Sequence, residues 1–131
     1  MDIIFINTEI LFNLDRKVKL DTLININLLK YHTKCKFVLT DTTEYKFYTL
    51  EDKLSLNGIP IRPIDIIPKL KAEKGHRINI WLQTNRCDNF VILDSDIGDI
   101  ENWYDNVVKV DNTEGFTEIK RKITQSFLGK L

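Results

Sequence analysis

Ile3-Ile4-Phe5-Ile6 running into Asn7-Thr8-Glu9, and Phe90-Val91-Ile92-Leu93 running into Asp94-Ser95-Asp96, decide the fold of this chain. Short runs of branched apolar residues bounded by polar ones read as strands buried on both faces, as in a parallel sheet covered by helices. In open sheets of that kind ligands sit at the carboxyl ends of the strands. Two acid-bearing strand ends in one small chain therefore mark a candidate site. Its first end carries a neutral side chain where an aspartate could attack phosphorus and hold a metal; Asn7 does neither well.

Outward from these two strands, helical and extended patterns alternate. After a polar stretch containing Asp15-Arg16-Lys17, Asp21 offers a helix N-cap, and Leu20, Leu23, Ile24, Leu28 and Tyr31 recur at helical spacing. Phe37–Thr40 reads as the second strand. Thr49–Leu56 reads as a helix capped by Thr49 and stopped by Asn57-Gly58. Ile61–Ile67, interrupted by Pro63, suits an edge strand or an extended segment better than a central strand. Lys74–Gln83 reads as a helix with Ile78, Trp81 and Leu82 on one face. Val107–Val110 is a last strand, and the final helix carries Thr117 as cap and Phe116, Ile119, Ile123 and Phe127 as its apolar stripe, with Lys120, Arg121 and Lys122 on or beside its solvent face. No repeat or linker stands out, so the expectation is one domain over residues 1–131. Its class is α/β, a three-layer sandwich around a mostly parallel, doubly wound Rossmannoid sheet with right-handed crossovers and no large cap domain.

Composition bounds the function. A length of 131 residues suits one compact core, and 43% hydrophobic with 29% charged residues is ordinary for a soluble globular chain. Nineteen basic residues balance nineteen acidic ones, so there is no long-range pull toward nucleic acid or anionic membrane, and a polyanion partner would need a local patch. No apolar run approaches a membrane span, and Asp2 spoils a secretory signal, which points to the cytoplasm. Cys35 and Cys87 precede strands and lack metal spacing, so they read as small hydrophobes. His32 and His76 are isolated, which argues against zinc.

Five segments resemble, in order, the motifs of haloacid dehalogenase-like (HAD) hydrolases, in particular the small capless branch found in multi-enzyme RNA repair proteins. Phe5-Ile6-Asn7-Thr8-Glu9-Ile10-Leu11 is placed like the opening Asp-x-Asp-Gly motif, and Val38-Leu39-Thr40 like the phosphate-binding second motif. Lys74-Gly75-His76-Arg77-Ile78-Asn79-Ile80-Trp81-Leu82 resembles that branch's Arg-Gly-x-Glu-Ile-x-x-Trp-Leu segment. Val91-Ile92-Leu93-Asp94-Ser95-Asp96 resembles the acidic fourth motif, and Val110-Asp111 through Gly115-Phe116-Thr117 the closing Gly-Leu-Thr signature. The resemblance implies that the first position supplies a nucleophilic aspartate, the second an acid/base carboxyl, and the first and fourth motifs a Mg²⁺ site.

The departures from that pattern imply impaired chemistry. Asn7 stands at the nucleophile position, and an amide oxygen is feebly nucleophilic. Glu9 keeps a carboxyl at the acid/base position but carries an extra methylene, and displacement of roughly an ångström can cost about 100-fold in rate. Ile10 replaces the usual glycine, and Thr43-Glu44 stand where the branch tends to carry Trp-Arg. Thr40 and Lys74 remain as candidate phosphate contacts. Asp94, supported by Asp96 or Asp99, remains as the candidate ligand of a weak or absent Mg²⁺.

Each residue also has a plain structural reading. Asn7 can bond backbone at a strand end, Glu9 and Asp94 can be exposed loop acids, Thr40 can pack a strand, and Lys74 can belong to a solvated helix end. Trp103-Tyr104 falls in a loop-like stretch where exposed aromatics favour a partner surface. Two functions follow as expectations. The first is a catalytically degenerate HAD-like domain that binds a protein partner or regulates it, for example as an immunity-type inhibitor. The alternative is a Mg²⁺-dependent phosphohydrolase acting on nucleotide or RNA-end phosphates.

Overall fold

The computed structural model describes residues 1–11, 18–42, 47–69 and 73–131. Five strands, β1 (Asp2–Asn7), β2 (Lys36–Thr42), β3 (Asp65–Pro68), β4 (Asn89–Asp94) and β5 (Val107–Lys109), form one parallel sheet in the order β3-β2-β1-β4-β5. The two strands picked out first, β1 and β4, are neighbours at its centre. This is the doubly wound α/β arrangement expected from the alternation. The Pro63-containing stretch contributes only its end to the sheet, as edge strand β3.

Each face of the sheet has its own core. Ile4, Ile6, Phe37, Leu39, Val91 and Leu93 point to one face, and Ile3, Phe5, Val38 and Ile92 to the other, as period-two alternation demands. The first face is covered by α2 (Leu20–Thr33), α3 (Phe47–Leu56) and α5 (Glu118–Phe127). The second is covered by α4 (Lys74–Thr84) and a single 3₁₀ turn at Ile100–Asn102. A four-residue helix, α1 (Thr8–Leu11), leaves β1 directly. Among the described residues, no helix is long and apolar enough to cross a membrane. Cys35 is buried and Cys87 half-buried.

Two helix caps agree with the sequence. Thr117 Oγ1 accepts the Lys120 N–H at the start of α5. Gly58, at φ +67°, ends α3 while the Ile59 N–H bonds the Leu54 carbonyl. α3 itself begins at Phe47, two residues before the expected Thr49 cap, and α2 takes Lys19 as N-cap, with Asp21 already inside its first turn. The expected exposure of Trp103-Tyr104 holds only for Trp103. Tyr104 packs edge-on against Phe90 and donates its hydroxyl to Asn79 Oδ1.

The orientation of two helices corrects the sequence reading. Leu20, Ile24 and Tyr31 of α2, and Ile119, Ile123 and Phe127 of α5, face solvent. The inward positions are Thr22, Asn25, Ile26, Leu29 and Thr33 of α2, and Arg121, Thr124 and Gln125 of α5. Arg121 therefore lies under the helix and not on its solvent face. The physical reason is a set of polar ties between the helices. Thr22 Oγ1 accepts the Phe116 N–H at 2.9 Å, and Arg121 Nε donates to Asn25 Oδ1 at 2.9 Å. These bonds set the roll of both helices against the sheet.

Gly115 makes the first of these ties possible. Its φ is +78°, and a Cβ there would lie 2.3 Å from Thr22 Oγ1. Gly115→Ala combines a strained backbone with a clash into that bond, and destabilises the protein by about 1–3 kcal/mol in urea unfolding. An unchanged unfolding midpoint would show that α2 and α5 are not held this way.

Candidate functional site

The site forms where three parallel strands end together. Asn7 lies opposite Thr40 across the β1–β2 pair, and Ile6 lies opposite Leu93 across β1–β4, which brings Asn7 beside Asp94. Alternation turns Asn7, Thr40 and Asp94 toward the α4 side of the sheet. Because α4 links the parallel strands β3 and β4, its first residue, Lys74, starts at this same carboxyl end.

Asn7 is used at both ends of its amide. Its Oδ1 accepts the Glu9 N–H at 2.9 Å, capping α1, which leaves Nδ2 facing the acids. Nδ2 donates to Asp94 Oδ1 at 2.9 Å and to Asp41 Oδ2 at 3.3 Å. Lys74 Nζ spans the same two carboxylates, 2.8 Å from Asp41 Oδ2 and 3.4 Å from Asp94 Oδ1, and also donates to the Asp96 carbonyl at 2.8 Å. Arg77 Nη2 closes the group by pairing with Asp41 Oδ1 at 2.9 Å. Two carboxylates thus meet two cations and one amide, and the charges balance.

Asp41 and Arg77 are the residues that sequence reasoning missed. By strand alternation Asp41 should point opposite to Thr40, away from α4. Instead, the β2–β3 register shifts between Thr40 and Thr42, and Asp41 adopts a left-handed φ of +51°. That bulge swings its carboxylate to the α4 side. Thr8 Oγ1 stands behind the bulge, within reach of the Thr40 and Asp41 carbonyls. For Arg77 a signal existed, since it occupies the place where the resembling segment carries Glu.

Burial decides the protonation chemistry. Burial pushes the Asp94 carboxyl above the ordinary carboxylate range, even though the Asp96 N–H, Lys74 and Asn7 all favour its charged form. For Lys74, burial pulls downward, but its hydrogen bond to Asp41 and the fields of Asp94, Asp41 and Asp96 outweigh it and hold the ammonium above the ordinary lysine value. Lys74 is therefore a permanent cation in the site.

The other candidates fall outside this knot. Glu9 is exposed, and only its backbone N–H reaches Asn7. Asp96 is exposed, and its backbone meets the site through its carbonyl and N–H. Asp99 receives the Gly75 N–H on both carboxylate oxygens at the start of α4. Thr43-Glu44 and Asp15-Arg16-Lys17 lie outside the described residues. Thr40 is buried with a hydroxyl that has no hydrogen-bond partner among the described residues, and it lines a cavity of about 10 Å³ shared with Asp41, Ile67, Lys74, Arg77, Ile78 and Asp94. That space suits one water-sized molecule and is far too small for a phosphoryl group.

The described residues of the site do not fit Mg²⁺. A hard cation needs several oxygen ligands, whereas the gap between Asp41 and Asp94 is filled by the N–H groups of Asn7 and Lys74, and the Asn7 carbonyl oxygen is turned to Glu9. Among the described residues, no group of three or more His, Cys, Asp or Glu side chains is placed to hold a metal ion.

The family model of the HAD domain in Swiss Army Knife RNA repair proteins matches residues 8–120. The chain belongs to that family. No curated protein sequence and no solved structure shows a significant match.

Two predictions follow from the charge balance. Lys74→Ala leaves two buried carboxylates without their shared cation and lowers stability by about 2 kcal/mol or more. Adding Asp41→Asn in that background recovers part of the loss, and additive losses in a urea double-mutant cycle would disprove the coupling. The raised pKa of Asp94 means that the folded state keeps its proton over a range in which the unfolded chain has released it. Its contribution is fully present below the ordinary carboxylate pKa and is lost as pH rises through the raised value. Unfolding curves of Asp94→Asn and the native protein therefore diverge in the variant's favour as pH increases through that window; divergence in the opposite direction would be inconsistent with burial as the dominant influence.

Proposed function

We propose that this HAD-family domain is non-catalytic and works by binding a protein partner, as a regulator or an inhibitor. The observation that carries this reading is the direction of the Asn7 amide. Covalent phosphoryl transfer needs an electron pair aimed at phosphorus from that strand end. Here the oxygen is occupied by the Glu9 N–H, and the side facing the pocket presents hydrogens to Asp94 and Asp41. Lys74 completes the closure by satisfying the two acids internally, so the cluster requires neither a metal nor an anion for balance.

A binding role asks nothing of this pocket except rigidity. The polar knot joins β1, β2, α4 and β4 into one fixed frame. Beside it, Trp103 is exposed and packs over Gly75, where an added Cβ would lie 2.4 Å from the indole Cδ1. A Mg²⁺-dependent phosphohydrolase is the competing reading, drawn from Thr40 and Asp94 at their family positions. It requires Lys74 to leave the acids and the cavity to open.

The native protein is expected to release no phosphate from p-nitrophenyl phosphate, or from 5′- and 3′-phosphorylated oligonucleotides, at any Mg²⁺ concentration. Turnover that Asp94→Ala abolishes would overturn the proposal. Activity appearing only in Asn7→Asp would trace the loss to that single carboxylate.

A further inference from the structure

We propose that the outward face of α5 is a docking surface for a protein partner whose groove is apolar on its floor and acidic at its rim. Ile119, Ile123 and Phe127 are spaced i, i+4 and i+8, and retain 71%, 41% and 44% exposure. They form one stripe, the pattern of anchors that a helix presents to a groove.

Polar contacts rather than apolar burial hold that orientation. The inner face of α5 carries Arg121, Thr124 and Gln125, each buried and each satisfied. Arg121 donates to Asn25 Oδ1 and, at 2.6 Å, to Gln125 Oε1, while Gln125 donates to the Lys130 carbonyl and Thr124 to the Lys120 carbonyl. Such bonds contribute about 1 kcal/mol each, whereas burying an isoleucine or phenylalanine is worth about 1.5–3 kcal/mol. The polar contacts instead hold the apolar stripe outward, and an exposed apolar stripe over a buried polar face is the mark of a surface that becomes covered.

Charge identifies what covers it. At 100° per residue, Lys120 falls on one side of the stripe and Lys122 on the other. The acid of this helix, Glu118, is already engaged by Lys122 at 3.5 Å and Arg121 at 3.7 Å. Lys120 and Lys122 against that one acid leave the rim with a positive balance, which carboxylates complement. A second copy of the chain fits poorly, because a two-fold axis would set the same lysine flanks together. Three side chains also fall well short of the roughly 800 Å² per partner of a stable interface, whereas a groove covers the flanks of the outward face as well. The assignment rests on the binding role proposed above and gives it a surface and a partner chemistry.

The test uses the full chain, immobilised and exposed to lysate of the cells that produce it, followed by a zero-length carbodiimide cross-linker. The expected result is a retained protein joined through its own Asp or Glu side chains to Lys120 or Lys122. Retention should fall about tenfold or more in Ile123→Glu and in the double variant Lys120→Glu/Lys122→Glu, both with unchanged melting temperature. Retention of no such protein overturns the proposal, as does retention indifferent to Ile123→Glu. Cross-links to another copy, with a dimer mass in light scattering, overturn it in favour of self-association. Co-sedimentation with phosphatidylcholine–phosphatidylserine vesicles that Ile123→Glu abolishes overturns it in favour of a lipid surface. Retention lost in Trp103→Ala but kept in Ile123→Glu removes this surface and leaves the non-catalytic reading standing, whereas phosphate-ester turnover by the native chain removes that reading itself.

Discussion

Two nitrogen donors, Asn7 Nδ2 and Lys74 Nζ, each reach both Asp41 and Asp94. Two buried carboxylates this close repel strongly in a low-dielectric interior unless positive charge and hydrogen bonds lie between them. The described residues where β1, β2 and β4 end are arranged around that constraint. Asn7 comes from β1, Asp41 from β2, Lys74 from α4 and Asp94 from β4, so the contact ties four elements of the fold together. Arg77, one turn along α4, extends the tie to the Pro68 carbonyl at the edge strand. The same bonds that hold the cluster together take up its charged groups.

The opposite layer shows the reverse allocation of polar and apolar groups. Between α2 and α5 the buried contacts are an arginine, an asparagine, a glutamine and threonines, while isoleucines and a phenylalanine stand in solvent. Polar groups in such a seam are directional, and they fix one rotation of a helix where greasy contacts would tolerate several. The strand-end cluster and the helix seam are thus alike in construction. Both use satisfied polar groups to hold a surface in a conformation that burial of hydrophobic area would not select.

Much of the site was legible in the strands. Period-two alternation in Ile3-Ile4-Phe5-Ile6-Asn7 and Val91-Ile92-Leu93-Asp94 puts Asn7 and Asp94 on one face, and parallel register brings them side by side with Thr40. Asp41 was illegible because a bulge breaks the alternation at that residue, and nothing in Leu39-Thr40-Asp41-Thr42 announces a left-handed backbone. Lys74 was visible as a cation near the site, but its role as a bridge between two acids depends on Asp41 and was hidden with it. The helix stripes were misread for a different reason. In α2, positions 20, 24, 28 and 31 have helical spacing, and so do 22, 26, 29 and 33. Periodicity finds a face without saying which face is buried.

By itself, the sequence determined the class of fold, the order of its elements and the strand ends that converge, because alternation and register leave each strand side chain only two directions. The tertiary structure alone decided the swing of Asp41, the way the Asn7 amide faces and the roll of α2 and α5. Each of these depends on partners drawn from distant parts of the chain: Lys74 and Arg77 for Asp41, Asp41 and Asp94 for Asn7, and Asn25 with Thr22 for the helices. A backbone bulge, an amide flip and a helix rotation change little in local propensity, so the long-range hydrogen bonds choose among them.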